Sequence, residues 1–502
     1  MNRPIRILAV GCLVLFLALL VRASYVQWWK ADDLNSVSTH ENNIRVLNEQ
    51  FSRDRGAIIV GKKSIALSRK SDDKYKFQRR YPAPYEYAHI TGFYTRDWGL
   101  AGLESSRNSV LSGEDSSLFL NRVVDLMDNR APKGGSVVTT LNGAAQDAAY
   151  AGLKGKVGAV VALQPSTGAI LAMASSPTYN PNRLATHNFD NVGPYKTDLL
   201  KKKPSPLDNI GIETTVPPGS TFKIVTTAAA LSSGKYTPES LVPGASSMKL
   251  PLSSHRLINE NGFACGAGKV TLTVALEKSC NVAFGTVGEK LGVKRLTEQA
   301  KKFGLTATKG NVLQDPTEYF DQLDDPLTHQ APSRFPADAD APQTVLAAIG
   351  QGNVAVTPLQ MAMVVAGVAN NGVVMKPYIV SQTESADLDV KDKTTPQEMP
   401  DQPAISPSVA SQITDMMVKV VDVGTGTPAR IPDVEVAGKT GTAQSAKDRP
   451  PYAWFVSFAP ARDPQVAVAV LIQDAGVARD AISGGGLAAP IAKAVMEAVL
   501  NS

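Results

Sequence analysis

Two pairs of apolar strands stand far apart along this chain, and no compact fold buries them unless they meet. Gly158-Ala159-Val160-Val161-Ala162-Leu163 and Ala169-Ile170-Leu171-Ala172-Met173-Ala174 flank the turn Pro165-Ser166-Thr167-Gly168 and read as a hairpin. Ala453-Trp454-Phe455-Val456-Ser457-Phe458 and Val466-Ala467-Val468-Ala469-Val470-Leu471-Ile472, joined through Pro460-Ala461-Arg462-Asp463-Pro464, read as a second pair. Helical patterns at 222–231, 270–291, 358–370 and 407–423 lie between the pairs, and a last helix spans 487–500. The order predicts one α+β domain whose sheet is assembled from both of its ends. Residues 137–142 read as its first strand and 144–153 as its first helix, while the polar, Pro- and Asp-rich stretches 314–342 and 383–404 read as surface loops.

The N-terminus predicts a membrane anchor. Arg3 and Arg6 precede the uninterrupted apolar stretch 7–21, and Arg22, Tyr25, Trp28 and Trp29 follow it. Arg22 can snorkel and the aromatic rings can sit at an interface, which extends the segment to the ~20 residues a span needs. The alternative, a cleaved signal peptide, has only the imperfect site Val21-Arg22-Ala23. With the positive flank at the N-terminus, the remainder of the chain is expected outside the cytoplasm. Residues 1–30 are thus a cytoplasmic tip and anchor, and 31–136 form an elongated, strand-rich spacer with charged runs such as Arg53-Asp54-Arg55-Gly56 and Asp72-Asp73-Lys74-Tyr75-Lys76. Residues 137–502 form the large domain.

The net charge of +5 is scattered along 502 residues without a dense basic tract, so no nucleic-acid partner is expected. Of three cysteines, Cys12 lies in the apolar stretch, which leaves Cys265 and Cys280 as the exported pair, 15 residues apart. A disulfide between them suits a non-reducing compartment; two buried thiols are the alternative.

Ser220 lies in Pro217-Pro218-Gly219-Ser220-Thr221-Phe222-Lys223, ahead of an apolar helical run. A helix starting there sets Lys223 one turn from Ser220 on the same face, where its amine can activate the hydroxyl. Ser-x-x-Lys also occurs at Ser71, Ser232 and Ser246, in charged or turn-rich stretches, so only Ser220 opens a helix with an apolar face. The competing reading makes Ser220 a helix N-cap. Lys439-Thr440-Gly441-Thr442 occurs once, on a strand pattern; with Asp433 where a phosphate loop needs its first Gly, a nucleotide site is excluded. Between them Ser279-Cys280-Asn281 sits in a helical context after 274–278. The five histidines, His40, His89, His187, His255 and His329, have no nucleophile context.

Taken in order, Ser-x-x-Lys, Ser-x-Asn and Lys-Thr-Gly resemble the signature set of penicillin-binding proteins and serine β-lactamases. Thr167-Gly168, Gly350-Gln351-Gly352, Thr357-Pro358-Leu359-Gln360 and Gly424-Thr425-Gly426 extend the resemblance to the transpeptidase domain. Arg55-Gly56-Ala57-Ile58 and Gly102-Leu103-Glu104 resemble the N-terminal segments of the class B, monofunctional penicillin-binding proteins, the actinobacterial members above all. The resemblance implies an antiparallel sheet flanked by helices, an all-helical lobe, and a peptidoglycan D,D-transpeptidase acylated by β-lactams. It assigns Ser220 as nucleophile, Lys223 as its base, Ser279 as a proton relay, Asn281 as a holder of the substrate amide, and Lys439, Thr440, Gly441 and Thr442 as recognising the substrate carboxylate. The implied oxyanion hole consists of the Ser220 and Thr442 N–H groups. The implied partners are peptidoglycan stem peptides, β-lactams, the cell membrane and proteins of division or elongation, with neither metal nor cofactor. A D,D-carboxypeptidase and an anchored scaffold with a vestigial site are the alternatives. No Glu-x-x-Leu-Asn is read after Ser279 to position a hydrolytic water, and a soluble hydrolase needs neither anchor nor spacer, so slow deacylation is expected.

Overall fold

The computed structural model describes residues 3–28, 44–115, 133–309, 312–313, 330–445 and 449–502. An N-terminal helix, Arg3–Trp28, carries the unburied apolar segment Arg6–Val26, long enough to cross a membrane. Strands β1 (Ile58–Val60), β2 (Lys63–Lys70), β3 (Phe77–Arg80) and β4 (Ser136–Thr139) begin one sheet, and β5 (Val157–Leu163) and β6 (Ile170–Ser176) begin a second. A helix-rich lobe then holds only short strands: β7 (Leu241–Pro243), β8 (Ser247–Lys249), β9 (Arg256–Ile258), β10 (Lys269–Thr271), β11 (Thr306–Lys309), β12 (Val312–Leu313) and β13 (Arg334–Pro336). The hairpin β14 (Val380–Glu384) and β15 (Val390–Lys393) returns to the first sheet, and β16 (Ala437–Ala443), β17 (Tyr452–Ala459) and β18 (Val466–Asp474) complete the second.

The two expected strand pairs do meet, in the antiparallel order β16-β17-β18-β5-β6. Register fixes which face each side chain takes. Lys439 lies opposite Val456, Val456 opposite Ala469, Ala469 opposite Val161 and Val161 opposite Met173. The neighbouring row runs from Thr440 through Phe455, Val470 and Val160 to Ala174. Because side chains alternate, the first row packs with helix Pro358–Ala369 in the larger core and the second with helices Gly143–Gly152 and Ala489–Leu500. Lys439 is thereby aimed at the helical lobe, from a strand at the sheet edge.

Several local expectations are corrected. The pattern at 270–291 is not one helix but β10, helix Leu272–Glu277 and helix Asn281–Lys302, because Ser279 adopts the left-handed conformation at φ 58 and breaks the run. Of the loop expected at 383–404, β14 and β15 make a hairpin whose outer strand is charged, a composition that suits a sheet edge. In 314–342, residues 314–329 lie outside the described residues, while β13 and the start of helix Ala341–Ala347 are regular. The change placed at 136/137 falls inside β4, which pairs in parallel with β1 (Ile58 to Val137) and antiparallel with β14. The spacer and the large domain therefore share the sheet β15-β14-β4-β1-β2-β3.

A buried ion cluster holds the spacer together. Arg55 Nε donates to Glu104 Oε2 and Arg79 Nε to Glu104 Oε1, both at 2.6 Å, while Tyr81 Oη donates to Oε1 at 3.1 Å. Burial alone would raise the Glu104 carboxyl, but the charges of Arg79 and Arg55 outweigh it and hold it below the ordinary value. Removing the carboxylate strands two guanidiniums at 5% and 3% exposure. Glu104→Ala should therefore cost about 3–5 kcal/mol in the opening free energy of β1–β3, read by native-state hydrogen exchange. Unchanged protection of these strands would contradict that role.

Candidate active site

The segment that carries Ser220 is gripped before any chemistry begins. Residues Gly219–Phe222 form a 3-10 turn running into helix Lys223–Ser232, so Ser220 lies inside the turn and caps nothing: the residue at the cap position is Pro218, and the N-cap reading is corrected. Gly219 sits at φ 53, and a Cβ there would lie 2.8 Å from the Thr442 carbonyl oxygen, so only glycine lets the turn approach β16. Its N–H donates to Gly350 O at 2.9 Å, which gives the Gly350-Gln351-Gly352 segment a structural task. On the other side Trp454, fully buried and opposite Gly441, donates from Nε1 to Pro217 O at 3.0 Å. A Cβ on Gly441 would meet Thr221 Cγ2 at 2.9 Å, which is why β16 and the turn can touch there.

Four polar atoms surround the Lys223 amine. Nζ lies 2.9 Å from Ser220 Oγ, 2.7 Å from Ser279 O, 2.8 Å from Asn281 Oδ1 and 3.3 Å from Ser279 Oγ. Asn281 is oriented by donating from Nδ2 to Ile258 O at 2.9 Å, which turns its oxygen to the lysine. The left-handed Ser279 presents both its carbonyl and its hydroxyl to the site, which continuous helix would not do. Lys439 closes the chain, with Nζ donating to Ser279 Oγ at 2.9 Å and to Thr440 O at 3.0 Å.

Both lysines are fully buried. Burial pushes the Lys223 ammonium well below the ordinary lysine range; the charge of Lys439 pushes it further and the Glu260 carboxylate opposes both. Burial likewise brings Lys439 down to about 7, again against Glu260. A neutral Lys223 amine has two N–H groups and one lone pair. Ser279 O and Asn281 Oδ1 can only accept, so they take the two hydrogens and leave the lone pair to Ser220 O–H. The arrangement can move a proton from the serine to the lysine, and a path through Ser279 Oγ connects Lys223 to Lys439.

Ser220, Lys223, Ser279, Asn281 and Lys439 come together here with Thr440 and Gly441 alongside, whereas Thr167-Gly168 packs against Lys376 and Tyr378, and Arg55 and Glu104 meet in the spacer. Cys265 and Cys280 are joined by a disulfide, with Cα atoms 6.1 Å apart. It ties the residue between Ser279 and Asn281 to the loop after β9, where Asn259 Nδ2 donates to Ala245 O and Phe263 O and Asn259 Oδ1 accepts from Val282 N–H. Thr440 Oγ1 is 2.6 Å from Thr425 Oγ1. The sequence pattern left Glu260, Asn259 and Trp454 unmarked, since each acts through contacts between distant segments. His89 is buried against Pro206 O and pushed down to about 4 by that burial, and His187 pairs with Asp73, both away from the nucleophile. The expectation that no Glu-x-x-Leu-Asn follows Ser279 is corrected: the pattern occurs at Glu497–Asn501, but on the C-terminal helix packed against the face opposite Lys439, where Glu497 faces Lys493 at 3.8 Å.

Comparison with known proteins places this geometry. The penicillin binding protein transpeptidase domain matches residues 158–497, and the penicillin binding protein A dimerisation domain matches 55–137. The peptidoglycan D,D-transpeptidase PbpA of Mycolicibacterium smegmatis is 40% identical over 510 aligned residues, covering 100% of this chain and 99% of that one. The structure of penicillin-binding protein A from M. tuberculosis as a ceftriaxone acyl-enzyme complex superposes with a TM-score of 0.83 at 39% identity, covering 90% of this chain and 100% of that one. Its penicillin G acyl-enzyme complex gives 0.81 at 40% identity over 89% of this chain and 100% of that one. The chain belongs to the class B penicillin-binding proteins, and within them it is most similar to penicillin-binding protein A.

Proposed function

We propose that this chain cross-links peptidoglycan as a D,D-transpeptidase through an acyl-enzyme on Ser220. The observation that carries the reading is the Lys223 amine, buried and 2.9 Å from Ser220 Oγ with two acceptor-only partners. Lys223 takes the serine proton as Oγ attacks the carbonyl of the penultimate D-Ala. The proton passes by way of Ser279 to the departing D-Ala amine, while Lys439, Thr440 and Thr442 receive the terminal carboxylate and Asn281 the substrate amide. The N–H groups of Ser220 and Thr442 hold the developing oxyanion. β-Lactams offer a strained carbonyl at the same place and leave Ser220 acylated.

The setting belongs to the same proposal. Residues 1–30 anchor the chain with the N-terminus in the cytoplasm, 31–136 form a pedestal and 137–502 act on the wall outside the membrane. An apolar helix, Arg6–Val26, preceded by Arg3 supports this topology. Proteins of division or elongation are the partners such a topology calls for.

Three measurements bear on these assignments. A fluorescent penicillin should label the detergent-solubilised full chain and leave Ser220→Ala unlabelled; labelling that persisted in the variant would remove Ser220 as the acyl acceptor. The second concerns pH. Lys223 serves as base only when neutral, so acylation falls as pH drops through its depressed pKa. Lys439 attracts the carboxylate only when charged, so acylation also falls as pH rises through about 7. The second-order rate of penicillin acylation should be bell-shaped, with the alkaline limb moved out of range in Lys439→Arg. A rate still climbing between about pH 8 and about pH 10 would contradict that role for Lys439. Finally, releasing the Cys265–Cys280 bridge loosens the segment that presents Ser279 and Asn281. Reductant should slow acylation by on the order of 10- to 100-fold, and Cys265→Ser/Cys280→Ser should be equally slow with no further response. Equal rates with and without reductant would show that the bridge does not position the site.

A further inference from the structure

The lip of the cleft beyond Asn281 carries a second set of groups that the acylation step leaves unused. Asn281 Nδ2 is bonded to Ile258 O, and the chain then runs directly into the 3-10 turn Glu260–Gly262. That turn is pinned from both sides by the Asn259 side chain, which bonds to Ala245 O, Phe263 O and Val282 N–H. Among the described residues the exposed Glu260 carboxylate makes no hydrogen bond or ion pair. Its field reaches both Lys223 and Lys439, which ties the carboxylate to the reacting centre. On either side of it in the chain Ile258 and Phe263 stand 58% and 75% exposed on segments that are otherwise well anchored.

An anchored turn that offers one unpaired carboxylate between two exposed apolar side chains fits a cation on an aliphatic stem. We propose that Glu260, with Ile258 and Phe263, forms the acceptor subsite, binding a primary ammonium at the end of an aliphatic chain and delivering it to the Ser220 acyl-enzyme. The inference rests on the transpeptidase reading and extends it from donor to acceptor. On the donor side Lys223 is neutral but Lys439, when charged, repels an incoming ammonium; a carboxylate at the lip offsets that repulsion where the acceptor must enter.

The proton balance is closed. The docked ammonium first releases one proton to water. As its nitrogen attacks the acyl carbon a second proton passes to Lys223 Nζ, and Lys223 returns it to Ser220 Oγ while the acyl carbon–oxygen bond breaks. The products are an amide and a free serine hydroxyl, with no oxidant or further reagent.

The test uses the full chain in detergent with an acyl-D-alanyl thioester donor and either Nα-acetyl-lysine amide or water as acceptor. The ratio of aminolysis to hydrolysis compares two fates of one acyl-enzyme, so it is insensitive to any change in acylation rate. Glu260→Gln should lower the ratio about fivefold, and Glu260→Asp should keep most of it. Ile258→Ser/Phe263→Ser should lower the ratio for Nα-acetyl-lysine amide while leaving glycinamide unaffected. A ratio equal to that of the wild type in Glu260→Gln overturns the inference. So does a wild type that is labelled by penicillin yet transfers only to water, an outcome that leaves the acylation chemistry standing; a wild type that penicillin does not label strikes the functional reading itself.

Discussion

Keeping a lysine neutral in a polar site is the constraint around which this molecule is arranged. Burial supplies the neutrality, because an ammonium withdrawn from water loses several kcal/mol of hydration. Burial alone, however, would leave the amine free to rotate and its lone pair undirected. Ser279 O and Asn281 Oδ1 fix it by taking its two hydrogens. Those acceptors come from the helical lobe, whereas the neighbouring cation, Lys439, comes from the sheet. The site therefore exists only where lobe and sheet are held in register. Trp454 against Pro217 and Gly219 against Gly350 hold the nucleophile turn between them.

The features that the sequence made legible were those governed by periodicity or by a motif within a few residues. Apolar runs at 158–163 and 466–472 can be buried only as strands, and their pairing follows from there being no other place to bury them. Ser220 and Lys223 are one turn apart by helix geometry alone. The conformation of Ser279 was hidden, because a positive φ at serine leaves no mark in composition, and a helical pattern on either side of it reads as one helix. Glu260 was hidden for a different reason. A lone glutamate in a Gly-rich loop is ordinarily solvated, and what distinguishes it is the neighbourhood of Lys223 and Lys439, which lie 37 and 179 residues away in sequence. Likewise β14 and β15 look like a polar loop, because an edge strand with one charged side has little hydrophobic signal.

The shared sheet changes how the pedestal relates to the catalytic region. A spacer joined by a linker would swing, since a few flexible residues impose no orientation. Here β1 pairs with β4 and β4 with β14, so a strand from beyond the helical lobe completes the pedestal sheet. The Glu104 cluster fixes β3 to the segment after Gly102, with Arg79 and Arg55 meeting on one carboxylate. Moving the pedestal against the catalytic region would break ladder hydrogen bonds on both sides of β4.

An acyl-enzyme of this kind faces a choice between water and an amine, and the distribution of charge bears on which wins. The feature that keeps Lys223 neutral, its seclusion beside a second lysine, leaves the donor pocket with the Lys439 charge and so unattractive to an ammonium. Acceptor recognition must then come from outside the pocket. The segment that orients Asn281 through Ile258 O is the same one that displays Glu260, so positioning of the donor and capture of the acceptor share one anchored loop. The Cys265–Cys280 bridge closes that loop onto the helix break at Ser279. A displacement of the loop would disturb both partners of the cross-link together, whereas a change confined to the Glu260 side chain would act on the second partner alone.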